Sequence, residues 1–400
     1  MDADVGHAAL TTVPPTGDPA PSAARGPRGV AVLGSTGSIG TAALRVLDRH
    51  RDRFRVVALT GFSNGALLRE QTARWTPAFS TLAGGGDLRA DRPHEGSASL
   101  VEAATRDDVD IVINAVVGAA GLQATLAALA RGKRVALANK ESLVMAGPLM
   151  LDAARRGGGQ IVPIDSEHSA ILQCVTGRRS ADVTRLVLTA SGGPFRDWPA
   201  DRIAGATAEA ALRHPTWRMG RKITVDSATL ANKALEVVEA HFLFGIPYDR
   251  IDVVVHPQSI VHSLVEFPDG GVLAQLGVPD MELPILYSLT HPDRLADDGV
   301  PRLDLVSASP LTFEPVSESR FPMLGLGVAA GRSGGAAPAV FNAANEEAVA
   351  LFLAGRLDFG DMPAAVDSAL AALGECPAPS LEALLKADDA ARRIVRERHA

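Results

Sequence analysis

Val30-Ala31-Val32-Leu33-Gly34-Ser35-Thr36-Gly37-Ser38-Ile39-Gly40 decides the fold. Its first four residues form an apolar run suited to a buried strand, entered through Arg28 and Gly29. Three glycines at G-x-x-G-x-x-G spacing follow. A helical stretch from Thr41 to His50 comes next, with Ala42, Leu44, Val46 and Leu47 apolar. A second strand, Arg55 to Leu59, completes a βαβ unit. Glycines let the backbone turn tightly against a pyrophosphate, and a helix N-terminus offers free N–H groups and the positive end of its dipole. The spacing is not the commoner G-x-G-x-x-G, so a tight turn without a ligand is the competing reading. The strand–turn–helix context favours a dinucleotide.

The end of the second strand bears on which dinucleotide. NAD sites commonly place an Asp or Glu there for the ribose 2′-hydroxyl. This chain has Thr60-Gly61-Phe62-Ser63-Asn64, with no carboxylate to repel a 2′-phosphate. Gly61, Ser63 and Asn64 are therefore candidate cofactor residues, and NADPH is preferred over NADH. Two more segments extend a parallel sheet. Val109 to Val117 is an almost continuous apolar run, as a strand covered on both faces should be. After a helix over Gly121–Arg131, a strand from Arg134 to Ala138 leads into Asn139-Lys140-Glu141-Ser142. Polar groups at the carboxyl end of such a strand occupy the usual ligand crevice of an open α/β sheet. Residues merely entering a loop would look the same.

Composition narrows the class. Four hundred residues, 46% of them hydrophobic, are enough for two or three cores. A formal charge of −7 argues against non-specific nucleic-acid binding, which needs a basic surface. Cys174 and Cys376 are the only cysteines, too few for a disulfide framework or a zinc ribbon, which suits a reducing, cytoplasmic setting. No apolar run approaches the about 18 residues of a membrane span. Residues 1–27, rich in Pro, Ala and Gly, read as a disordered tail rather than a secretory signal.

The middle of the chain holds the chemistry. Ile161 to Ile164 reads as a strand ending in Asp165-Ser166-Glu167-His168. In an extended chain Asp165 and Glu167 point to one side, and two close carboxylates need a proton or a cation between them. A solvated turn is the alternative. Lys222 to Gly245 is expected to begin extended and become a long helix after Asp226 or Ser227. On it Asn232, Lys233 and Glu236 share a face, where Glu236 can serve as a third carboxylate or as an ordinary partner of Lys233. An oxygen-only ligand set selects Mg²⁺ or Mn²⁺, with Co²⁺ also admissible.

Two further segments suit a second anion. Ser191-Gly192-Gly193, after an apolar strand over Leu186–Leu188, can offer a hydroxyl and backbone N–H groups, or be a plain glycine turn. With Ser227, Asn232 and Lys233 it would make a phosphate site apart from the dinucleotide. His214 to Lys222, with Trp217 and Met219 in a basic, irregular stretch, has the composition of a lid, although a buried structural Trp is the plainer reading. His262 falls outside the candidate set, because a lone histidine is more often structural.

GSTGSIG, NKESLV, DSEH, SGGPF, HPTWRMGRK, DSATLANKALEVVEA, HPQSIVHSLVEFPDG and FNAANEEAVALFL occur in this order. As a set they resemble the 1-deoxy-D-xylulose 5-phosphate reductoisomerase family, from about Val30 to the C-terminus. The resemblance implies a metal held by Asp165, Glu167 and Glu236. It implies NADPH contacts at Thr36, Gly37, Ser38, Ile39, Asn139, Glu141 and Gly220. Lys140, Ser166 and Glu167 would touch the sugar, with Lys140, Glu167 and Glu236 as the catalytic set. Ser191, His214, Ser227, Asn232 and Lys233 would grip the substrate phosphate, and Trp217 would close over it. The implied reaction rearranges a phosphorylated ketose and reduces it with NADPH to 2-C-methyl-D-erythritol 4-phosphate, an isoprenoid precursor. A homodimer is also implied. The turn at Gly61–Asn64 lacks the lysine some members carry, and residues 80–98 are Gly-rich and shortened.

The expected architecture is α/β. It has a Rossmann-like NADPH-binding domain at 28–164, an α+β catalytic domain at 165–300, a connector at 301–322 and a helical C-terminal domain at 323–400. Two rival readings stand beside this one. A plain NADP-dependent dehydrogenase of a phosphorylated ketone would turn over without a metal, and a silent NADPH-binding regulator would have lost the carboxylates.

Overall fold

The computed structural model describes residues 26–83, 97–378 and 380–398. Most of the expected tail and the middle of the Gly-rich stretch at 80–98 lie outside them. Alternation of apolar runs and amphipathic stretches builds the first sheet. In chain order its elements are β1 (Arg28–Leu33), α1 (Ser38–Arg49), β2 (Phe54–Gly61), α2 (Gly65–Trp75), β3 (Phe79–Leu82), α3 (Ser97–Thr105), β4 (Ile111–Asn114), α4 (Leu122–Ala130), β5 (Arg134–Leu137), α5 (Lys140–Gly157) and β6 (Gln160–Pro163). The strands are all parallel, in the order β3-β2-β1-β4-β5-β6. Order reverses between β1 and β4, and a crevice opens there beyond the carboxyl ends. Val30 to Leu33 are fully buried, as a central strand covered on both faces requires.

A second sheet and its helices follow. These are α6 (Ser166–Val175), β7 (Arg185–Ala190), α7 (Ala200–Ala204), α8 (Ala208–Ala211), α9 (Arg221–Thr229), α10 (Ala231–Phe244), β8 (Ile251–Val255), β9 (Val261–Glu266), β10 (Val272–Leu276), α11 (Glu282–Thr290), α12 (Leu305–Ala308) and β11 (Glu314–Pro315). The sheet order is β10-β9-β7-β8-β11, parallel only between β7 and β8. Helix α6 packs on β9 and β10, α10 packs on β8, and α11 reaches back to α1. Four helices end the chain: α13 (Pro322–Ser333), α14 (Ala337–Leu353), α15 (Met362–Leu373) and α16 (Leu381–Arg398). They share one apolar core with α10, through residues such as Leu235, Val238, Phe341 and Val366. Among the described residues, no helix is long and apolar enough to cross a membrane.

Three local expectations are corrected. The apolar run 109–117 is a strand only over Ile111–Asn114, because Gly118 at φ +71° turns the chain and sends Val116 and Val117 out to the crevice. Asp165 and Glu167 do not converge through extended backbone. Asp165 sits at the N-cap of α6 and Glu167 in its first turn, so a helix start aims both. Lys222 to Gly245 does not begin extended either. Arg221–Thr229 is already helical, and Leu230, at φ +61°, breaks it from α10. Leu230 is a buried side chain, and packing holds it in a backbone region that costs of order 1–3 kcal/mol. Thr229 Oγ1 accepts from Ala231 N (3.2 Å) at the restart.

Candidate active site

The glycine turn makes the first wall of the crevice. Gly34 lies at φ +79°, and a Cβ there would meet the Ala115 carbonyl oxygen at 2.7 Å. A Cβ on Gly40 would meet the Gly34 carbonyl oxygen at 2.2 Å, so α1 can approach β1 this closely only with glycine. Gly37 begins α1 with no side-chain cap, and no acidic residue stands in the first turn. Its leading N–H groups therefore face the crevice unblocked, a cradle suited to an anion.

Opposite lies an acidic centre. Oxygens of Asp165, Glu167 and Glu236 come within 4.8 Å of one another, although Glu236 arrives from α10. Two ammonium groups stand among them. Lys140 pairs with Asp165 and donates to Glu236 Oε1 (3.0 Å). Lys233 donates to Glu167 Oε1 (2.6 Å) and to the Thr189 carbonyl (2.6 Å), and pairs with Glu236. Burial, then the Glu236 charge, pushes Glu167 up to about 7 against the pull of Lys233. Burial also acts to raise Asp165, but Lys140, His168 and Lys233 outweigh it and hold its carboxyl at about 2. Asn232 donates to Glu236, and His168 Nε2–H donates to the Glu236 backbone carbonyl (2.8 Å), tying α6 to α10. Carboxylate oxygens without thiolate or imidazole donors are the set a hard divalent cation takes, and this cluster fits one.

Beyond the acidic centre is a neutral, donor-rich corner. His214 Nδ1 accepts from the N–H groups of Thr216 (3.1 Å) and Trp217 (2.9 Å), so the proton resides on Nε2. Nε2 lies 3.0 Å from Ser191 Oγ and 3.1 Å from Ser227 Oγ. Burial lowers His214 to about 4, which keeps the ring neutral at pH 7. Gly193, at φ +68°, is pressed against Ser227, where a Cβ would meet its carbonyl oxygen at 2.5 Å. Residues 214–220 have no regular structure, and the Trp217 ring lies 6.3 Å from that of His262.

These walls enclose one cleft of ≈ 860 Å³. Gly37, Ser38, Ile39, Glu141 and Gly220 line it, together with Asp165 and the ten residues expected at the substrate: Lys140, Ser166, Glu167, Ser191, His214, Trp217, Ser227, Asn232, Lys233 and Glu236. Thr36, Gly61, Ser63, Asn64 and Asn139 are not on its surface. Asn64 instead caps α2, accepting from Leu67 N (3.1 Å), and Gly61 pairs with Leu82 in the sheet. Asn139 is buried behind the wall, donating to the Gly118 carbonyl (2.7 Å). His262, set aside from the sequence, does line the cleft, as do Met219 and a Pro279–Glu282 segment. Histidine type alone carried no signal for His262; the pairing of β9 beside β7 brings it there.

Comparison with known proteins agrees with this geometry. Models of 1-deoxy-D-xylulose 5-phosphate reductoisomerase match residues 30–147, and those of its C-terminal domains match 161–244 and 276–394. The reductoisomerase of Synechococcus sp. (strain JA-2-3B'a(2-13)) is 50% identical over 376 residues, 91% of this chain and 95% of that protein. That of Rippkaea orientalis is 47% identical over 92% of this chain and 95% of its own length. Among solved structures, the Zymomonas mobilis enzyme in complex with NADPH superposes with a TM-score of 0.85 at 42% identity, covering 93% of this chain and 99% of that one. A DOX-P reductoisomerase in complex with NADPH, fosmidomycin and magnesium gives 0.83 at 38% identity, covering 92% and 98%. With half the residues identical along nine-tenths of both lengths, the chain belongs to the 1-deoxy-D-xylulose 5-phosphate reductoisomerase family.

Proposed function

We propose the following roles for this chain within the reaction of its family, the NADPH- and divalent-metal-dependent conversion of 1-deoxy-D-xylulose 5-phosphate to 2-C-methyl-D-erythritol 4-phosphate. Asp165, Glu167 and Glu236 hold the metal. When bound, the ion supplies polarisation of a ketone and an adjacent hydroxyl, and NADPH supplies the hydride. Lys140 and Lys233 already compensate the carboxylates, so the buried site never carries their full charge. Lys140, Ser166 and Glu167 orient the sugar. Ser191, His214, Ser227, Asn232 and Lys233 bind its phosphate, with neutral His214 donating from Nε2 and Lys233 bringing charge. Trp217 and Met219 close over the cleft and exclude water.

Gly37, Ser38, Ile39, Glu141 and Gly220 face the dinucleotide. Thr36 and Asn139 hold the wall behind it, and Gly61, Ser63 and Asn64 sit toward its 2′-phosphate. The single observation that carries this assignment is the meeting of three carboxylates from a helix start and a distant helix. NADPH and magnesium in solved relatives support it. Strand membership supports a boundary near 164, and residues 323–400 are helical; β11, inside the proposed 301–322 connector, still pairs with β8 of the second sheet, and α11 packs on α1. A homodimer in the cytoplasm is the expected setting, and sedimentation velocity checks the dimer.

The deciding experiment mixes purified protein, NADPH, Mn²⁺ and 1-deoxy-D-xylulose 5-phosphate and follows the reduced-nicotinamide band. Turnover should stop with EDTA and return with Mn²⁺. Oxidation of NADPH that continues in EDTA would replace this assignment with a plain NADP-dependent dehydrogenase.

A further inference from the structure

Four helices distant in sequence meet in a buried ionic cluster behind the cleft. Lys222 Nζ on α9 donates to Glu141 Oε1 on α5 (3.1 Å) and pairs with Asp226 Oδ2 one turn along (2.8 Å). The other Asp226 oxygen accepts from Asn345 Nδ2 on α14 (2.8 Å). Next to Asn345, Glu346 pairs with Arg392 on α16 (2.7 Å), which Asp388 also holds (2.8 Å). Asp226, Asn345 and Asp388 are at most 1% exposed. Charges buried this deeply are strongly destabilising when a partner is removed, so the cluster holds the four helices in one arrangement.

It bears on three walls of the cleft. Glu141 lines the cleft, and its second oxygen accepts from Asn139 Nδ2 (3.2 Å). Asn139 also holds the Gly118 carbonyl (2.7 Å). A Cβ on Gly118 would lie 3.2 Å from the Glu346 carboxylate oxygens, so the loop carrying Val116 and Val117 rests directly on the cluster. Lys222 follows the irregular 214–220 segment by two residues and fixes its downstream end. Lys222 itself lines the cleft beside Glu141, whereas Asn345, Glu346 and Arg392 lie behind its surface.

We infer that this cluster is a brace by which the C-terminal helices position the cofactor-facing walls, so that Asn345, off the cleft surface, sets NADPH affinity as a positioning residue through Asp226 and the wall residue Lys222. This rests on the cleft assignment above. Without the ammonium of Lys222, Glu141 and Asp226 repel, and the start of α5 separates from α9. Without the Asn345 amide, Asp226 loses its tie to α14.

The test uses the full-length protein and its Lys222→Met, Lys222→Arg, Asn345→Leu and Val366→Ala variants, the last a core truncation in α15. NADPH affinity is read from nicotinamide fluorescence and Mn²⁺ affinity from its paramagnetic resonance. Lys222→Met and Asn345→Leu should each weaken NADPH about tenfold, roughly 1.4 kcal/mol. Both should raise KM for NADPH with kcat at saturation changed less than about threefold, and leave Mn²⁺ affinity intact. Lys222→Arg should recover most of the affinity, and Val366→Ala should lower the thermal midpoint without weakening NADPH. Should Asn345→Leu fail to fold, Asn345→Ala, which also leaves the cleft surface untouched, decides, and near-wild-type NADPH affinity in it overturns the brace. Near-wild-type NADPH affinity in Lys222→Met, or equal losses in Lys222→Met and Val366→Ala, would overturn the brace. Wild-type protein that binds no NADPH would instead overturn the cleft assignment beneath it.

Discussion

The two ends of the cleft recognise anions by opposite means. At the cofactor end the anion cradle is backbone: Gly34, Gly37 and Gly40 bring an uncapped helix start against β1. At the substrate end it is side chain: three carboxylates, two lysines, three serines and a neutral histidine, gathered from α5, α6, the end of β7, the 214–220 segment, α9 and α10. A backbone site fails when atoms are added, because a Cβ finds no room. A side-chain site fails when a charge is removed in place, because a buried partner is stranded. The ends should therefore respond differently to substitution, and each can be broken without the other.

The largest effect belongs to Glu236→Gln, which keeps shape and removes one metal oxygen's charge. Turnover with Mg²⁺ or Mn²⁺ should fall by about 10³-fold or more, while NADPH binding stays near wild type. Steady-state kinetics beside an NADPH titration checks it, and wild-type-like turnover removes Glu236 from the metal site. Next comes Gly40→Ala, the converse change. The added methyl must displace the Gly34 carbonyl, 2.2 Å from its place, at a cost of about 1–3 kcal/mol in stability. NADPH binding should weaken at the same time, with Mn²⁺ affinity retained; a variant as stable as wild type and binding NADPH normally would show that the turn has slack.

The smallest effect concerns pH. His214 and His262 are both held near 4 by burial, against an ordinary value of 6.5. Between those values the unfolded chain binds more protons than the folded one, so these histidines make stability fall as pH drops from about 6.5 toward 4. Glu167, raised to about 7, acts in the opposite sense, lowering stability as pH rises from its ordinary 4.5. The difference between wild type and His262→Gln isolates the histidine: the variant's urea midpoint should decline less over pH 6.5 to 4. Parallel curves for the two proteins would mean that His262 titrates normally.

Much of the cofactor end was legible in residue order, because it is local. One turn, one strand and one helix within residues 28–49 make the cradle, and glycine spacing reports backbone geometry directly. The substrate end was legible only as composition. Asp165 and Glu167 do come together, but from the start of α6 rather than along the extended backbone their spacing suggests. The helix over 221–229 escaped notice because its Thr and Val residues read as extended, and nothing in residue type announces that Leu230 will be held at positive φ. His262 and the Asp226–Asn345 contact were invisible for a plainer reason: their partners lie on other elements, up to 119 positions away.

The sequence by itself determined the βαβ unit, its glycine turn and most of the element types, because periodicity and glycine placement follow from local backbone sterics. Only the tertiary structure decided that Glu236 closes on Asp165 and Glu167, and that the last helices reach the wall behind the cofactor. Those contacts depend on how separate helices pack, and the packing is a property of the shared core rather than of any one segment.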